Sequence, residues 1–330
     1  QCDHVPQENS KTGDPVFILG ILPRSGTAFL YDLLKLHPAC GVAAEVWEDH
    51  FLYHYDVLDG YLDAAAVHWS PAYAGDPAVR DRVRSAVGRG LLAFLQSHAP
   101  DRRIVTKTPR VDHLHAFFTF FPEARLLILV RDGRSVIESG VKTFGWHREW
   151  AVREWARAAG TILAFEAVAA EQGFSDRDLI VRYEDLWQTL EETLRRILAH
   201  LDLDPADYDF QAAANLPIRG SSTGDATGAI HWNPVQKTAA FDPMSRWRHW
   251  SQGRHERFNW LAGEPMRKLG YEPRVFAGAG GFWKAWNRLL DLRWGVLLRL
   301  RPILAPLWRQ KTALHRRRRQ RPARTKQQGR

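Results

Sequence analysis

Residues 20–27, GILPRSGT, have the residue types of a loop that binds a phosphate group. The apolar run 16–19 precedes the loop, and an apolar helical pattern begins at about Thr27. A tight loop between a strand and a helix points backbone N–H groups and a positive helix end at an anion. Counted from Gly20 against the Walker pattern G-x-x-x-x-G-K-[ST], the last three positions hold Ser25, Gly26 and Thr27, so a glycine stands at the lysine position. The loop therefore predicts a phosphate site that lacks the lysine serving a γ-phosphate.

Three basic residues are expected at the ends of three different strands. Arg24 lies in the loop, Lys107 follows the apolar run 103–106, and Arg131 follows the apolar run 125–130. In a parallel sheet with helices on both faces, ligands bind beyond the carboxyl ends of the strands. Because a buried core has no use for three charges, their placement indicates a site for a polyanion.

The elements that must position these residues alternate between strands and helices. Short, continuously apolar runs predict strands buried on both faces. The predicted strands are 16–20, 103–106, 125–130 and 179–183, and the predicted helices are 27–36, 112–119, 133–143, 149–171 and 186–200. Strand–helix alternation predicts an α/β fold, a P-loop-like parallel sheet flanked by helices. We expect a flexible segment 1–14, a single domain 15–273 and a basic C-terminal extension 274–330.

The composition is that of a globular protein, with 45% hydrophobic and 25% charged residues. The two cysteines give neither a disulfide framework nor a cysteine-rich metal site, and no metal is expected. The first residues are polar and resemble no signal peptide, and no long apolar run predicts a membrane-spanning helix. We expect a cytoplasmic protein. The sequence leaves its oligomeric state open.

Further motifs bring the sequence close to a known family. Pro23–Thr27, PRSGT, resembles the 5′-phosphosulfate loop of sulfotransferases that use 3′-phosphoadenosine 5′-phosphosulfate (PAPS). Residues 129–139 resemble their 3′-phosphate motif, with an arginine after a strand and a serine eight residues later. The ordered pattern also includes YEDL at 183–186, KTP at 107–109, RGSS at 219–222, PVQK at 234–237, RW at 246–247 and LGYEP at 269–273. The set is similar to the branch that contains tyrosylprotein sulfotransferases and many bacterial sulfotransferases.

This resemblance implies an enzyme that binds PAPS as the sulfuryl donor and uses no metal. Arg24 would supply a fixed positive charge where many relatives carry lysine, and Lys107 would join it in catalysis. The resemblance assigns donor binding to Arg24, Ser25, Gly26, Thr27, Ala28, Arg131, Ser139, Tyr183, Ser221 and Lys237. Ser135 lies at the wrong offset to bind the 3′-phosphate.

The same resemblance suggests the general base. In the tyrosylprotein branch a glutamate lies twenty-one residues after the basic residue of the loop, which is Glu45 here. Relatives that act on heparan chains carry a Glu-x-His-Phe segment nearby, and residues 48–51, EDHF, resemble it. Glu45 is the first candidate and Glu48 the second, while His50 and His54 remain alternatives.

Nothing in the sequence identifies the acceptor, which could be a carbohydrate, a peptide tyrosine, a lipid or a small molecule. The aromatic and polar segment 49–90 matches no family motif, and we expect it to form a wall or lid of the acceptor site.

The C-terminal extension differs from the rest of the chain in charge. Residues 282–330 contain fifteen Lys or Arg and one acidic residue, which is a net charge of +14 and leaves −5 for the other residues. Tryptophans and leucines recur at helical spacing from Trp283 to Leu297, and residues 315–330 are expected to be disordered and cationic. We favour peripheral attachment to an anionic membrane surface, ahead of docking on the body, capture of an acidic polysaccharide, or nucleic-acid binding.

Two other functions compete with sulfuryl transfer. A P-loop kinase would need a Walker lysine and an acidic metal ligand, but Gly26 occupies the lysine position. A non-catalytic membrane or nucleic-acid adaptor would use only the basic extension, and a response to nucleotide would exclude it.

Overall fold

The computed structural model describes residues 13–218, 242–278 and 280–319, with only the backbone described for 301–319. In this part of the chain five parallel strands form one sheet. They are β1 (Val16–Gly20), β2 (Cys40–Gly41), β3 (Arg103–Thr108), β4 (Arg125–Val130) and β5 (Asp178–Arg182). Their order is β2-β3-β1-β4-β5. Because β1 is central, the loop that follows it lies between the carboxyl ends of β3 and β4.

Helices connect the strands and cover both faces of the sheet. The first group is α1 (Thr27–Leu34), α2 (Tyr55–Ala66), α3 (Pro71–Ala74), α4 (Pro77–Gln96), α5 (Phe117–Phe120) and α6 (Gly133–Phe144). The second group is α7 (Arg148–Gln172), α8 (Tyr183–Gln188), α9 (Leu190–His200), α10 (Phe210–Asn215), α11 (Gln252–Lys268) and α12 (Gly280–Arg319). Short 3₁₀ helices span Leu52–His54, Leu114–Ala116 and Pro205–Asp207.

Alternate residues of the central strands enter two separate cores. On one face, Phe17 and Leu19 pack with residues of α5, α6, α7 and α11. On the other face, Val16 and Ile18 pack with residues of α1 and α9. Both faces are therefore buried, which explains why these strands are continuously apolar instead of alternating. The α/β fold with a parallel sheet flanked by helices is confirmed.

The boundaries of β1 and β4 agree with the sequence prediction residue for residue, whereas several others differ. Strand β3 continues to Thr108, so Lys107 lies within the strand and not after it. Tyr183 begins α8 instead of ending β5. The predicted helix 186–200 is two helices, because the backbone of Thr189 has φ −131° and ψ 56°. The predicted helix 112–119 is a 3₁₀ turn followed by α5.

Segment 49–90, which matched no motif, is largely helical. It forms α2, α3 and most of α4, and α4 packs closely against α5. Gly88 makes this approach possible, since a Cβ there would lie 1.9 Å from the backbone oxygen of Phe120. The segment is thus part of the folded body.

Helix α12 is docked on the body along one of its faces. Asn287 is buried, and its backbone oxygen accepts a hydrogen bond from Arg257 of α11. Asp291 accepts hydrogen bonds from Arg153 of α7 and from Arg257 and Trp260 of α11. The sequence analysis ranked docking on the body second for the C-terminal extension, and this face of α12 is docked in that way. Backbone helix extends through residues 315–319, which were expected to be disordered.

No helix within residues 13–218, 242–278 and 280–319 combines the length and the apolar character needed to cross a membrane.

Candidate active site

A cleft of about 530 Å³ opens at the carboxyl edge of the sheet. Residues that follow four of the strands line it, including the loop after β1, Pro109 after β3, Arg131 after β4 and Tyr183 after β5. Of the three basic residues predicted to cluster there, Arg24 and Arg131 line the cleft, whereas Lys107 lies within β3 and is not among the described lining residues. The topology concentrates their charges because these strands are neighbours in the sheet.

The loop between β1 and α1 has the backbone of an anion-binding turn. Arg24 and Gly26 both have positive φ angles, of 78° and 105°. Helix α1 begins at Thr27, and its N-terminal residues Thr27 and Ala28 line the cleft. A Cβ on Gly26 would lie 2.4 Å from the ring of Tyr183, so the loop can pack against this ring only through glycine. The Walker lysine position is thus closed to any side chain.

Three arginines concentrate positive charge in the cleft. Arg24, Arg131 and Arg246 all line it. Burial, followed by repulsion from Arg246 and Arg131, lowers the pKa of Arg24 to about 10. Burial and repulsion from Arg131 likewise lower the pKa of Arg246 to about 10. With these pKa values Arg24 and Arg246 remain cationic at neutral pH, and a bound polyanion would relieve the repulsion within the cluster.

Hydrogen bonds join the residues predicted to hold the two ends of the donor. Arg24 donates from Nε to the Ser139 hydroxyl at 2.9 Å. Arg131 donates from Nη1 to the backbone oxygen of Arg24 at 2.8 Å, and its guanidinium lies 4.2 Å from the centre of the Tyr183 ring. Ser135, in contrast, donates to the backbone oxygen of Met244. The structure thus brings Ser139 into the arginine cluster and gives Ser135 another partner.

Two buried polar atoms beside the cluster have no hydrogen-bond partner among the described residues. They are the Ser25 hydroxyl and the Nε of Arg131. Buried donors are normally satisfied, and those left over at a functional site call for a ligand or water. Both atoms are donors next to a group of arginines, so their chemistry fits a phosphate or sulfate group.

The YEDL and LGYEP motifs contact each other next to the three arginines. Glu184 accepts a hydrogen bond from the backbone nitrogen of Asp132 at 3.0 Å and another from the Tyr271 hydroxyl at 2.8 Å. Trp155 donates from its indole nitrogen to the backbone oxygen of Arg131 at 3.2 Å. These contacts fix the turn after β4, and they hold Arg131 in place.

Segment 48–50 is anchored along the end of β3 through Asp49. The Asp49 carboxylate accepts hydrogen bonds from the hydroxyls of Thr106 and Thr108, each at 2.8 Å. The backbone nitrogen of His50 bonds to the Thr108 hydroxyl at 3.0 Å. Burial raises the pKa of Asp49, while the two threonine hydroxyls oppose that rise. The anchor leaves Glu48 and His50 on the wall of the cleft.

Both oxygens of Glu48 have basic partners. Its Oε1 lies 3.3 Å from Nζ of Lys107, and its Oε2 lies 3.0 Å from Nε2 of His50. Glu45, the first candidate for the base, lies in an exposed turn and is not among the described residues that line the cleft. The structure therefore places Glu48, the second candidate, at the site. Glu45 remains an untested prediction.

The remaining predicted residues differ in how closely they approach the cleft. Lys107 contacts the cleft residue Glu48 at 3.3 Å, and Ser25 is a fully buried residue of the loop. Of the alternative bases, His50 lines the cleft, whereas His54 does not line it within the described part of the chain. Ser221 and Lys237 lie outside the described residues, as do the motifs RGSS and PVQK.

The structure also adds residues that the sequence analysis did not assign to the site. Arg246 was noted only as part of the RW motif, and its position beside two other arginines could not be inferred from spacing. Aromatic side chains form much of the remaining wall. They are Tyr53, Phe144, Trp146 and Trp150, and Arg110 lies among them over the ring of Tyr53. Tyr53 belongs to segment 49–90, which was expected to form such a wall, but neither motif nor periodicity marked the other three.

No cluster of three or more His, Cys, Asp or Glu side chains suited to a metal ion occurs in the described ranges 13–218, 242–278 and 280–300.

Comparison with known proteins gives a consistent family assignment. Residues 15–207 match the model of the sulfotransferase family. The chain is 28% identical over 235 residues to nodulation protein NoeE of Sinorhizobium fredii, covering 63% of this chain and 55% of that protein. It is 27% identical over 201 residues to a protein-tyrosine sulfotransferase of Drosophila melanogaster, covering 57% of this chain and 38% of that protein. The chain thus spans about half the length, or less, of these relatives.

Among solved structures, the sulfotransferase domain of the Synechococcus PCC 7002 olefin synthase is similar to this chain with a TM-score of 0.47. The two share 23% sequence identity, and the similarity covers 79% of this chain and 98% of that domain.

Proposed function

The chain belongs to the sulfotransferase family, and on that premise we propose that it transfers a sulfuryl group from PAPS to a hydroxyl or amine of an acceptor. The observation that carries the proposal is the cluster of Arg24, Arg131 and Arg246 around an anion-binding turn. Such a cluster suits a donor that carries separate phosphate and phosphosulfate groups.

The donor is proposed to contact the cluster at its two charged ends. Arg24, Thr27 and the backbone of the loop would bind the 5′-phosphosulfate, while Arg131 and Ser139 would bind the 3′-phosphate. The hydrogen bond from Arg24 to Ser139 supports the idea that both ends occupy one continuous site. Gly26 supports a sulfuryl donor over ATP, because no lysine side chain fits at its position.

The proposed chemistry needs a base on the acceptor side and positive charge on the donor side. A carboxylate takes the proton from the acceptor, the acceptor oxygen or nitrogen forms a bond to sulfur, and the sulfur–oxygen bond to the 5′-phosphate breaks. Adenosine 3′,5′-bisphosphate leaves with the electron pair of that bond. Arg24 and Lys107 would stabilise the charge that develops on the leaving phosphate oxygen.

Glu48 is the base that the geometry supports best. It lines the cleft on the anchored segment 48–50, whereas Glu45 is not among the described residues that line the cleft. The Oε1 atom of Glu48 lies 3.3 Å from Nζ of Lys107, so the base and a cation adjoin each other in the cleft. In an in-line transfer Glu48 would act on the acceptor side of the sulfur, and Lys107 would reach towards the leaving phosphate on the other side. His50 would orient the second carboxylate oxygen.

The aromatic wall supports an acceptor with flat or apolar faces. Tyr53, Phe144, Trp146 and Trp150 line the cleft beyond the arginines. Sugar rings and phenols both stack on such side chains. Residues 50 and 53 are the contribution of the predicted wall segment 49–90. In the described part of the chain, helices α2 to α4 contribute no residue to the cleft lining.

The proposed activity is tested by incubating the protein with radiolabelled PAPS and a panel of carbohydrates, tyrosine peptides, phenols and lipids. We expect label to move to one acceptor class, with adenosine 3′,5′-bisphosphate formed in equal amount. The Glu48→Gln variant should transfer little label. Transfer of the γ-phosphate of ATP to the same acceptor would contradict the proposal and indicate a kinase.

A further inference from the structure

The face of α12 that points away from the body is apolar and exposed. Phe282, Trp286, Leu289, Val296 and Leu300 lie on it, and each is at least two-fifths exposed. Their spacing of three, four or seven residues puts them on one side of an α-helix. A soluble body rarely exposes so many large apolar side chains side by side, and such a patch commonly marks an interaction surface.

The body does not cover this face, because the opposite face of α12 already makes the docking contacts. Asn287 and Asp291 lie on the docked side and bond to Arg153, Arg257 and Trp260. Trp294 stacks on His147 with ring centres 5.6 Å apart. Rolling the helix to bury its apolar face would break these bonds and expose a buried arginine. The exposed face is therefore available to a partner.

The positive charge of residues 282–330 favours an anionic lipid surface over a second copy of this chain as the partner. Residues 282–330 carry a net charge of +14, and the exposed Arg293 lies on the same side of α12 as the apolar residues, between Leu289 and Val296. A second copy of this surface would bring like charges together, which opposes self-association. An anionic lipid surface offers apolar depth for the side chains and negative charge for the arginines.

We infer that α12 is a body-docked interfacial helix, which lays its outward face on an anionic lipid bilayer. Its inner face fixes the body in one orientation relative to the lipid. His147, which stacks on Trp294 of α12, adjoins the cleft residue Trp146 in sequence, so the docked side of α12 lies near the acceptor wall. This inference is independent of the proposed transfer reaction, since it uses residues outside the cleft.

The test is co-sedimentation of the full chain with phosphatidylcholine vesicles that contain phosphatidylserine. Val296→Glu and Leu289→Glu place a carboxylate on the outward face. Val168→Glu is the matched control, because Val168 on α7 is also an exposed valine and the change in net charge is identical. Circular dichroism checks that each variant is folded.

We expect the unmodified chain to bind the vesicles at low salt, to be released by high salt, and not to bind phosphatidylcholine alone. Val296→Glu and Leu289→Glu should lose most of the bound fraction, whereas Val168→Glu should keep it. Equal loss in all three variants would mean that only net charge matters, which overturns the role of the apolar face. Absence of binding by the unmodified chain, or its dimerisation through this face in sedimentation velocity, would also overturn the inference.

Discussion

The side chain of Arg24 donates a hydrogen bond to the hydroxyl of Ser139 at 2.9 Å. The two residues lie 115 positions apart in the sequence, one in the loop after β1 and the other on α6. The resemblance to sulfotransferases assigns them to opposite ends of the donor. Their direct contact means that the two ends of the proposed donor site are physically coupled.

This coupling predicts that the effects of the two residues on ligand affinity are not additive. Arg24→Ala and Ser139→Ala should each weaken binding of adenosine 3′,5′-bisphosphate, and the double variant should lose less than the sum. We expect an interaction energy of about 0.5–3 kcal/mol, the range for residues in one hydrogen-bonded network. Isothermal titration calorimetry of the four proteins measures it. Strictly additive losses would mean that the bond does not persist in the complex.

The assignment of the base predicts different consequences for two neighbouring glutamates. Glu48→Gln should lower turnover by about 10²-fold or more, because the amide cannot accept the acceptor's proton. Donor affinity should change little. Glu45→Gln is the control and should remain near normal, since Glu45 is not among the described residues that line the cleft. Steady-state kinetics decides between them, and a collapse of the Glu45 variant alone would restore the sequence-based choice.

Gly26 should be intolerant of alanine for two separate reasons. Its φ of 105° is unfavourable for any residue with a Cβ, and that Cβ would lie 2.4 Å from the Tyr183 ring. Gly145 is a matched control, because it has a φ of 67° but no described atom within 4 Å of the added Cβ. Gly145→Ala should cost about 1–2 kcal/mol of unfolding free energy, from the backbone alone. Urea unfolding should show a larger cost for Gly26→Ala, and equal costs would disprove the steric contact.

The raised pKa of Asp178 predicts that the free energy of unfolding depends on pH between about 4 and 8. Burial, followed by the neighbouring Glu166 carboxyl, raises the pKa of Asp178 from 3.8 to about 8. The folded state binds the Asp178 proton more tightly than the unfolded state does. The contribution of this protonation to the free energy of unfolding is therefore fully present below pH 3.8 and is lost as pH rises towards 8.

Asp178→Asn keeps the group neutral, so the variant should gain stability over the unmodified chain as pH rises through this window. We expect a gain on the order of 1–3 kcal/mol near pH 8 and almost none near pH 4. Urea unfolding across this pH range measures it, with the exposed Asp207→Asn as the control. A gain that is the same at every pH would show that Asp178 does not titrate with folding.

The sequence was sufficient for the parts of the fold that local pattern determines. The strands β1 and β4 are continuously apolar because both faces of the sheet are buried, so their boundaries could be read directly from the sequence. The helices in segment 49–90 were missed because few of their apolar residues are buried in the body. Their helical state depends on packing, such as the contact of α4 with α5 at Gly88, which periodicity does not reveal.

In the candidate site, too, the sequence motifs predicted some residues, whereas others depend on tertiary contacts. The ordered motifs identified Arg24, Thr27, Arg131 and Ser139, because family spacing encodes positions at strand ends. The proposal of Glu48 over Glu45 as the base rests on the hydrogen bonds of Asp49 to β3, which span more than fifty residues. In the same way, the sequence does not show which face of α12 points outward, because this depends on the hydrogen bonds of Asp291 to the body.

The central claim is that the arginine cluster binds a sulfuryl donor, and nucleotide-dependent thermal stability tests it most directly. Adenosine 3′,5′-bisphosphate at about one hundred times its dissociation constant should stabilise the protein by about 2.7 kcal/mol, raising the melting temperature. Arg131→Ala should abolish most of this shift, whereas Arg195→Ala, an exposed arginine on α9, should not. ATP with Mg²⁺ should give little shift. Stabilisation by ATP with Mg²⁺ and none by the bisphosphate would contradict the account.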